Sequence, residues 1–145
     1  MERFRKTILL GLIASLFILE SCYPSKISEN LITGKYSSTG ENEYYQYKDT
    51  IEVRATDEGK FDIQTLSYWS TPKKDDPELP KKKAGVWTNY GVGKIEVAIF
   101  QNSDYTLRIT EPVSGSVTNM KVDPEKKTIE KQTKYGGTVI YHRIN

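Results

Sequence analysis

Apolar and polar residues alternate with a period of two along most of the chain beyond residue 30. Ile51, Val53 and Ala55 interleave with Glu52, Arg54 and Thr56, and Phe61 and Ile63 with Asp62 and Gln64. Ile95, Val97 and Ile99 interleave with Lys94, Glu96 and Ala98; Tyr105, Leu107 and Ile109 interleave with Thr106, Arg108 and Thr110. Side chains of a strand point alternately to its two faces, so each run reads as a strand with one dry and one wet face, the pattern of antiparallel sheet. Turn signals separate the runs: Asp57-Glu58-Gly59, Gln101-Asn102-Ser103, Asp123-Pro124-Glu125-Lys126 and Gly136-Gly137.

Ten strands are predicted, at about 32–38, 43–48, 50–56, 60–69, 85–90, 94–100, 104–110, 116–122, 127–133 and 138–144. The second can merge with the third, so the expectation is eight to ten. No helical stripe is sustained after residue 22. The fold class is all-β: an antiparallel meander closing into a small barrel, a flattened barrel or a sandwich.

Two interruptions stand out. Phe61 and Ile63 are odd-numbered, whereas Leu66 and Tyr68 are even-numbered, so the dry face slips by one residue. A bulge or bend is predicted near Thr65. Residues 70–84 hold three prolines and eight charges, which do not suit a packed sheet, and read as a mobile exposed loop.

The first twenty-two residues follow another logic. Met-Glu-Arg-Phe-Arg-Lys is a basic head, followed by thirteen uncharged residues, 7–19, and then Glu20, Ser21 and Cys22. A basic head, a short apolar run and a small residue before a break describe an export signal. As a helix the apolar run rises about 20 Å, short of a hydrocarbon core of about 30 Å. Leu19, Ser21 and the single cysteine, Cys22, resemble the bacterial lipoprotein box of Leu, two small residues and Cys; Glu20 departs from it. The resemblance implies cleavage before Cys22, acyl chains (palmitate among them) carried on that cysteine, and confinement to a bacterial envelope membrane, the outer one being expected. Two or three acyl chains make such an anchor effectively permanent. The expected organisation is a signal at 1–21, a lipidated tether at 22–30 and one domain at 31–145.

Residues 1–21 carry three basic and two acidic side chains, and the chain is +2, so the remainder is +1. That balance gives no argument for nucleic acid as a partner. With one cysteine the domain has no internal disulfide and must rely on its core.

Gly34-Lys35-Tyr36 opens the first strand and resembles the Gly-x-Trp of lipocalin-like barrels, with Tyr36 in the place of Trp. Ser103-Asp104-Tyr105 is similar to that family's Thr-Asp-Tyr turn, and Arg143 to its late basic residue. The resemblance implies an eight-stranded barrel whose floor is closed by Tyr36 and covered by Arg143. It also implies an interior that is filled by side chains or holds one small ligand. The residues expected to line the cavity of a small apolar ligand are Tyr36, Val53, Phe61, Val97, Tyr105 and Leu107.

No catalytic constellation is visible. His142 is the one histidine and has no partner in sequence; Asp57-Glu58 and Asp75-Asp76 read as solvated turns. Neither a metal site nor a cofactor is expected, nor enzymatic activity. Aromatic residues are the richer signal, with ten tyrosines and two tryptophans. Tyr44, Tyr45, Tyr47, Trp69 and Trp87, with Lys73, Lys74, Lys81, Lys82 and Lys83 of the 70–84 segment, form the candidate partner surface. The expected function is a membrane-anchored binding module for a small apolar ligand. The alternative is an interaction or inhibitor-type lipoprotein gripping an envelope protein through that surface.

Overall fold

The computed structural model describes residues 28–57, 59–133 and 136–145; the signal, Cys22 and most of the tether lie outside the described residues. A single turn of 3-10 helix, Glu29–Leu31, leads into nine strands: β1 (Gly34–Glu41), β2 (Tyr45–Asp57), β3 (Lys60–Pro72), β4 (Thr88–Asn89), β5 (Ile95–Gln101), β6 (Thr106–Thr110), β7 (Val117–Asp123), β8 (Thr128–Gln132) and β9 (Thr138–Arg143). Every pairing is antiparallel, and each long strand lies beside its sequence neighbour. The return of β9 onto β1 closes eight strands into a barrel. The two-residue β4 is all that forms of the strand expected at 85–90, and it sits outside the barrel on β3. The runs at 43–48 and 50–56 merge into β2.

The slip predicted near Thr65 is a bulge. Ile51 pairs with Thr65 but Thr50 pairs with Ser67, so Leu66 is the extra residue. Before it Phe61 and Ile63 face inward. After it Tyr68 stands opposite Asp49 and Ser70 opposite Tyr47, on the inward face that β2 shares with Ile51 and Val53. The bulge thereby brings Tyr68 onto the face of Asp49 and Tyr47, and turns Trp69 outward opposite Lys48.

The lower barrel is packed solid. Tyr36, Val53, Phe61, Leu107, Val122, Ile129 and Ile32 are buried together, and Phe61 meets Phe100 edge to face at 6.2 Å. The Tyr36 hydroxyl donates to the Ile32 carbonyl at 2.7 Å. Arg143, opposite Tyr36 in the ladder, donates from Nη1 to the Asn30 carbonyl at 3.3 Å and from Nε to the Asn145 carbonyl at 3.0 Å. Tyr36 thus forms a floor, and Arg143 ties the 3-10 turn beneath it, so the last residues of the expected tether belong to the barrel.

The closure between β1 and β9 is brief. Tyr36 pairs with Arg143 and Ser37 with His142, and above that pair the strands part. A space of about 450 Å³ fills the gap, lined by Ser38, Gly40, Tyr47, Val139 and their neighbours.

Candidate functional site

Tyr36, Val53, Phe61 and Leu107, expected around a ligand, are inside the barrel but packed against one another at no more than 1% exposure. Val97 and Tyr105 require correction. Val97 is 56% exposed on the outer face, because β5 turns Ala98 and Phe100 inward. Tyr105 sits in the β5–β6 turn with a positive φ of 55° and is 40% exposed. Alternation fixes which residues share a face; it leaves open which face is dry, and here Phe100 outweighs the β-branched trio Ile95, Val97 and Ile99.

Open space lies above the floor. A cavity of about 730 Å³ is lined by Glu96 from β5, Ile109 and Glu111 at the end of β6, Thr118 from β7, Lys131 from β8, and Val139 and Tyr141 from β9, with Ser114 and Ser116 on the β6–β7 connection. At its rim Glu111 accepts from the Ser114 hydroxyl at 2.8 Å and meets the Lys94 ammonium at 3.8 Å. Neither the Glu96 nor the Lys131 side chain makes a hydrogen bond or close ion pair with a described residue, although the Lys131 charge is felt at Asp49.

Tyr141 separates this cavity from the opposite wall. Its hydroxyl donates to Asp49 Oδ2 at 3.3 Å, while Asp49 Oδ1 is buried without a partner. Burial pushes the Asp49 carboxyl above its ordinary value, against the pull of the Tyr141 hydrogen bond and the Lys131 charge. Burial first, then the Asp49 charge, holds the Tyr141 phenol well above the usual range. Tyr68 is raised for the same two reasons in the same order. Tyr47 completes this wall, its ring lying where a side chain on Gly40 would stand.

The candidate partner surface divides. Tyr47 belongs to the interior. Tyr44 is 66% exposed at the β1–β2 turn, and Tyr45 is half-buried. Outside the barrel the Lys48 ammonium lies 5.5 Å from the Trp69 ring and 4.6 Å from the Trp87 ring. Tyr68 and Tyr90 pack at 5.4 Å. The lysine-rich segment is tied to β1 by Lys73, which pairs with Glu41 at 3.2 Å, and closed on itself by Asp75 Oδ1, which accepts from the Ala84 amide at 2.7 Å. Lys74, Lys81 and Lys83 are exposed, and Lys82 is partly covered. The Asp75-Asp76 pair read as a solvated turn caps its own segment, with Asp76 Oδ1 accepting from the Glu78 amide at 2.9 Å.

Asp49, Glu96, Lys131 and Tyr141 were not singled out by the sequence. Each is polar or amphipathic at an inward position near the upper end of a strand, where alternation reads charge as the wet face. A signal was present in the parity of β2: Asp49 shares the odd register of Ile51 and Val53.

His142 lies on the outer face of β9, exposed, opposite Ser37. Among the described residues no group of three His, Cys, Asp or Glu side chains is placed to hold a metal ion. The mouth offers carboxylates, an ammonium and hydroxyls around an open volume, an arrangement for holding a polar molecule. The fold and site define an eight-stranded antiparallel barrel, filled below and open above. No protein-family model, curated protein or solved structure matches the chain.

Proposed function

We propose that the chain is a lipoprotein of the bacterial envelope, anchored by lipid on Cys22, whose barrel is a non-catalytic binding module holding one small ligand in its mouth. The observation that carries the reading is the open volume of about 730 Å³ above a packed floor, lined by charged groups of both signs. Pockets of about 300–1,000 Å³ suit small molecules, with a few placed polar groups fixing orientation. Because Tyr36, Val53, Phe61 and Leu107 are already packed, the ligand the site favours is polar with an apolar portion against Ile109 and Val139, rather than wholly apolar.

Native mass spectrometry of the intact protein extracted from membranes tests this. The expected result is an extra mass, lost on denaturation, beyond that of the acylated chain. A bare native mass counts against it. Incorporation of labelled palmitate, abolished with release from the membrane in Cys22→Ser, tests the anchor; unchanged membrane retention of that variant would refute it.

A second reading, docking of an envelope protein, is favoured by the exposed Tyr44, Trp87 and Tyr90 around the lysine-rich segment. It expects cross-linked partners to be lost when residues 74–83 are replaced by a short Gly-Ser linker.

A further inference from the structure

Glu96 and Lys131 carry opposite charges into one cavity and yet do not pair. They stand on β5 and β8, separated by β6 and β7. Three strand steps of about 4.8 Å set their backbones about 14 Å apart across the strands, and the ladders place Lys131 in the row of Phe100, further along β5 than Glu96; both side chains nevertheless line the one cavity. A salt bridge formed between them would relieve both charges, and the barrel wall holds them apart instead. The rim charges are already engaged, Glu111 with Lys94 and Ser114. The same cavity is lined by the hydroxyls of Thr118 and Tyr141 and the apolar surfaces of Ile109 and Val139. An inward charge of each sign, with hydroxyl donors and a small apolar wall between them, is complementary to a molecule carrying both an ammonium and a carboxylate. Each end then makes a charge-assisted contact that the protein's own side chains do not make.

From this arrangement we infer that the barrel mouth takes a zwitterion of amino-acid type: its ammonium on Glu96, its carboxylate on Lys131 and a modest apolar side chain against Ile109 and Val139. The inference rests on the small-ligand reading above and gives it a chemical class. A neutral or purely anionic ligand would leave Glu96 in the mouth without a partner, and a purely cationic one would leave Lys131 with no close contact, only the more distant Asp49. In each case a desolvated charge counts against binding.

The test is calorimetric titration of the full-length protein in lipid nanodiscs with L-leucine, L-leucinamide and 4-methylpentanoate. These share one side chain and carry both charges, the positive charge alone and the negative charge alone. Leucine is expected to bind about tenfold or more tightly than either analogue, the size of one charge-assisted contact. Glu96→Gln should erase the advantage of leucine over 4-methylpentanoate, and Lys131→Met its advantage over leucinamide, each variant keeping the wild-type circular dichroism and melting point. Equal affinity for leucine and either analogue, or variants that weaken all three alike, would overturn the zwitterion class while leaving a small-ligand site standing. If none of the three binds, the mass spectrum decides. A captured molecule lacking either charge overturns the class alone; a bare mass overturns both readings.

Discussion

Tyr141 and Asp49, ninety-two residues apart in the chain, meet across the upper barrel through a hydroxyl-to-carboxylate hydrogen bond of 3.3 Å. It is the one hydrogen bond this carboxylate makes with a described residue, and the other carboxylate oxygen is buried without one. The pair therefore links fold stability to pH. Burial raises the folded-state pKa of Asp49 above its ordinary 3.8. The folded protein then holds this proton to higher pH than the unfolded chain does, so the contribution of Asp49 to stability falls as pH rises from about 3.8 through the raised value and is flat above it. Thermal unfolding of Asp49→Asn and wild type between pH 3 and pH 8 should show the variant gaining relative stability across that window. A constant difference would contradict the burial. Tyr141→Phe removes the donor and should cost about 1–3 kcal/mol at neutral pH. That loss should shrink as acid neutralises the carboxyl.

The floor makes a second prediction. The Tyr36 hydroxyl reaches the Ile32 carbonyl at 2.7 Å inside the packed cluster. Tyr36→Phe keeps the ring and should cost about 1–2 kcal/mol in urea unfolding, because a buried carbonyl loses its donor. Gly34 is more constrained. Its φ is +146°, and a Cβ there would stand 2.7 Å from the Asn145 carbonyl oxygen and 2.9 Å from Arg143 Nε. Gly34→Ala should therefore destabilise the barrel and loosen Arg143. Hydrogen exchange at the amide of Ile144, which donates to the Lys35 carbonyl at 2.8 Å, would report it as faster exchange.

Strand β5 tests the inside-out assignment directly. Ile95, Val97 and Ile99 are about half exposed, and Ala98 is fully buried. Val97→Thr should change stability by less than about 0.5 kcal/mol, as for ordinary surface sites. Ala98→Leu should cost about 1–3 kcal/mol by overpacking against the Ile109 side of the core. The reverse ordering in denaturant titrations would mean that β5 presents its other face.

That strand also marks where the sequence stopped being legible. Period-two alternation was enough for eight to ten strands and an antiparallel meander, and left barrel and sandwich both open. The parity slip between Ile63 and Leu66 was enough to locate the bulge. Tyr36 and Arg143 were found through their resemblance to a known floor pattern, and the structure places both at the bottom of the barrel. The mouth was illegible for a physical reason. Its inward face carries charge, so Asp49, Glu96 and Lys131 look like the wet side of their strands. In β5 the outward positions are β-branched as well, so hydrophobicity argues for the wrong face. The phase is set by Phe100 packing onto Phe61, a contact between strands that share no local sequence.

The last prediction concerns the outer wall. Lys48 stands between Trp69 of β3 and Trp87 just before β4, 5.5 Å and 4.6 Å from their rings. Trp87 is thereby held against the wall through a side chain of β2. Cation–π contacts at partly exposed sites are worth about 0.5–1 kcal/mol each, too little to hold a barrel and enough to bias a loop. Lys48→Ala should leave the unfolding midpoint of the barrel nearly unchanged. It should red-shift tryptophan emission and speed tryptic cleavage at Lys81, Lys82 and Lys83, because the segment now opens more often. Lys48→Arg should restore the protected pattern, since guanidinium also stacks on indole. If cleavage is unchanged in Lys48→Ala, the segment is held by the Lys73–Glu41 and Asp75–Ala84 contacts instead, and the tryptophan clamp has no part in its order.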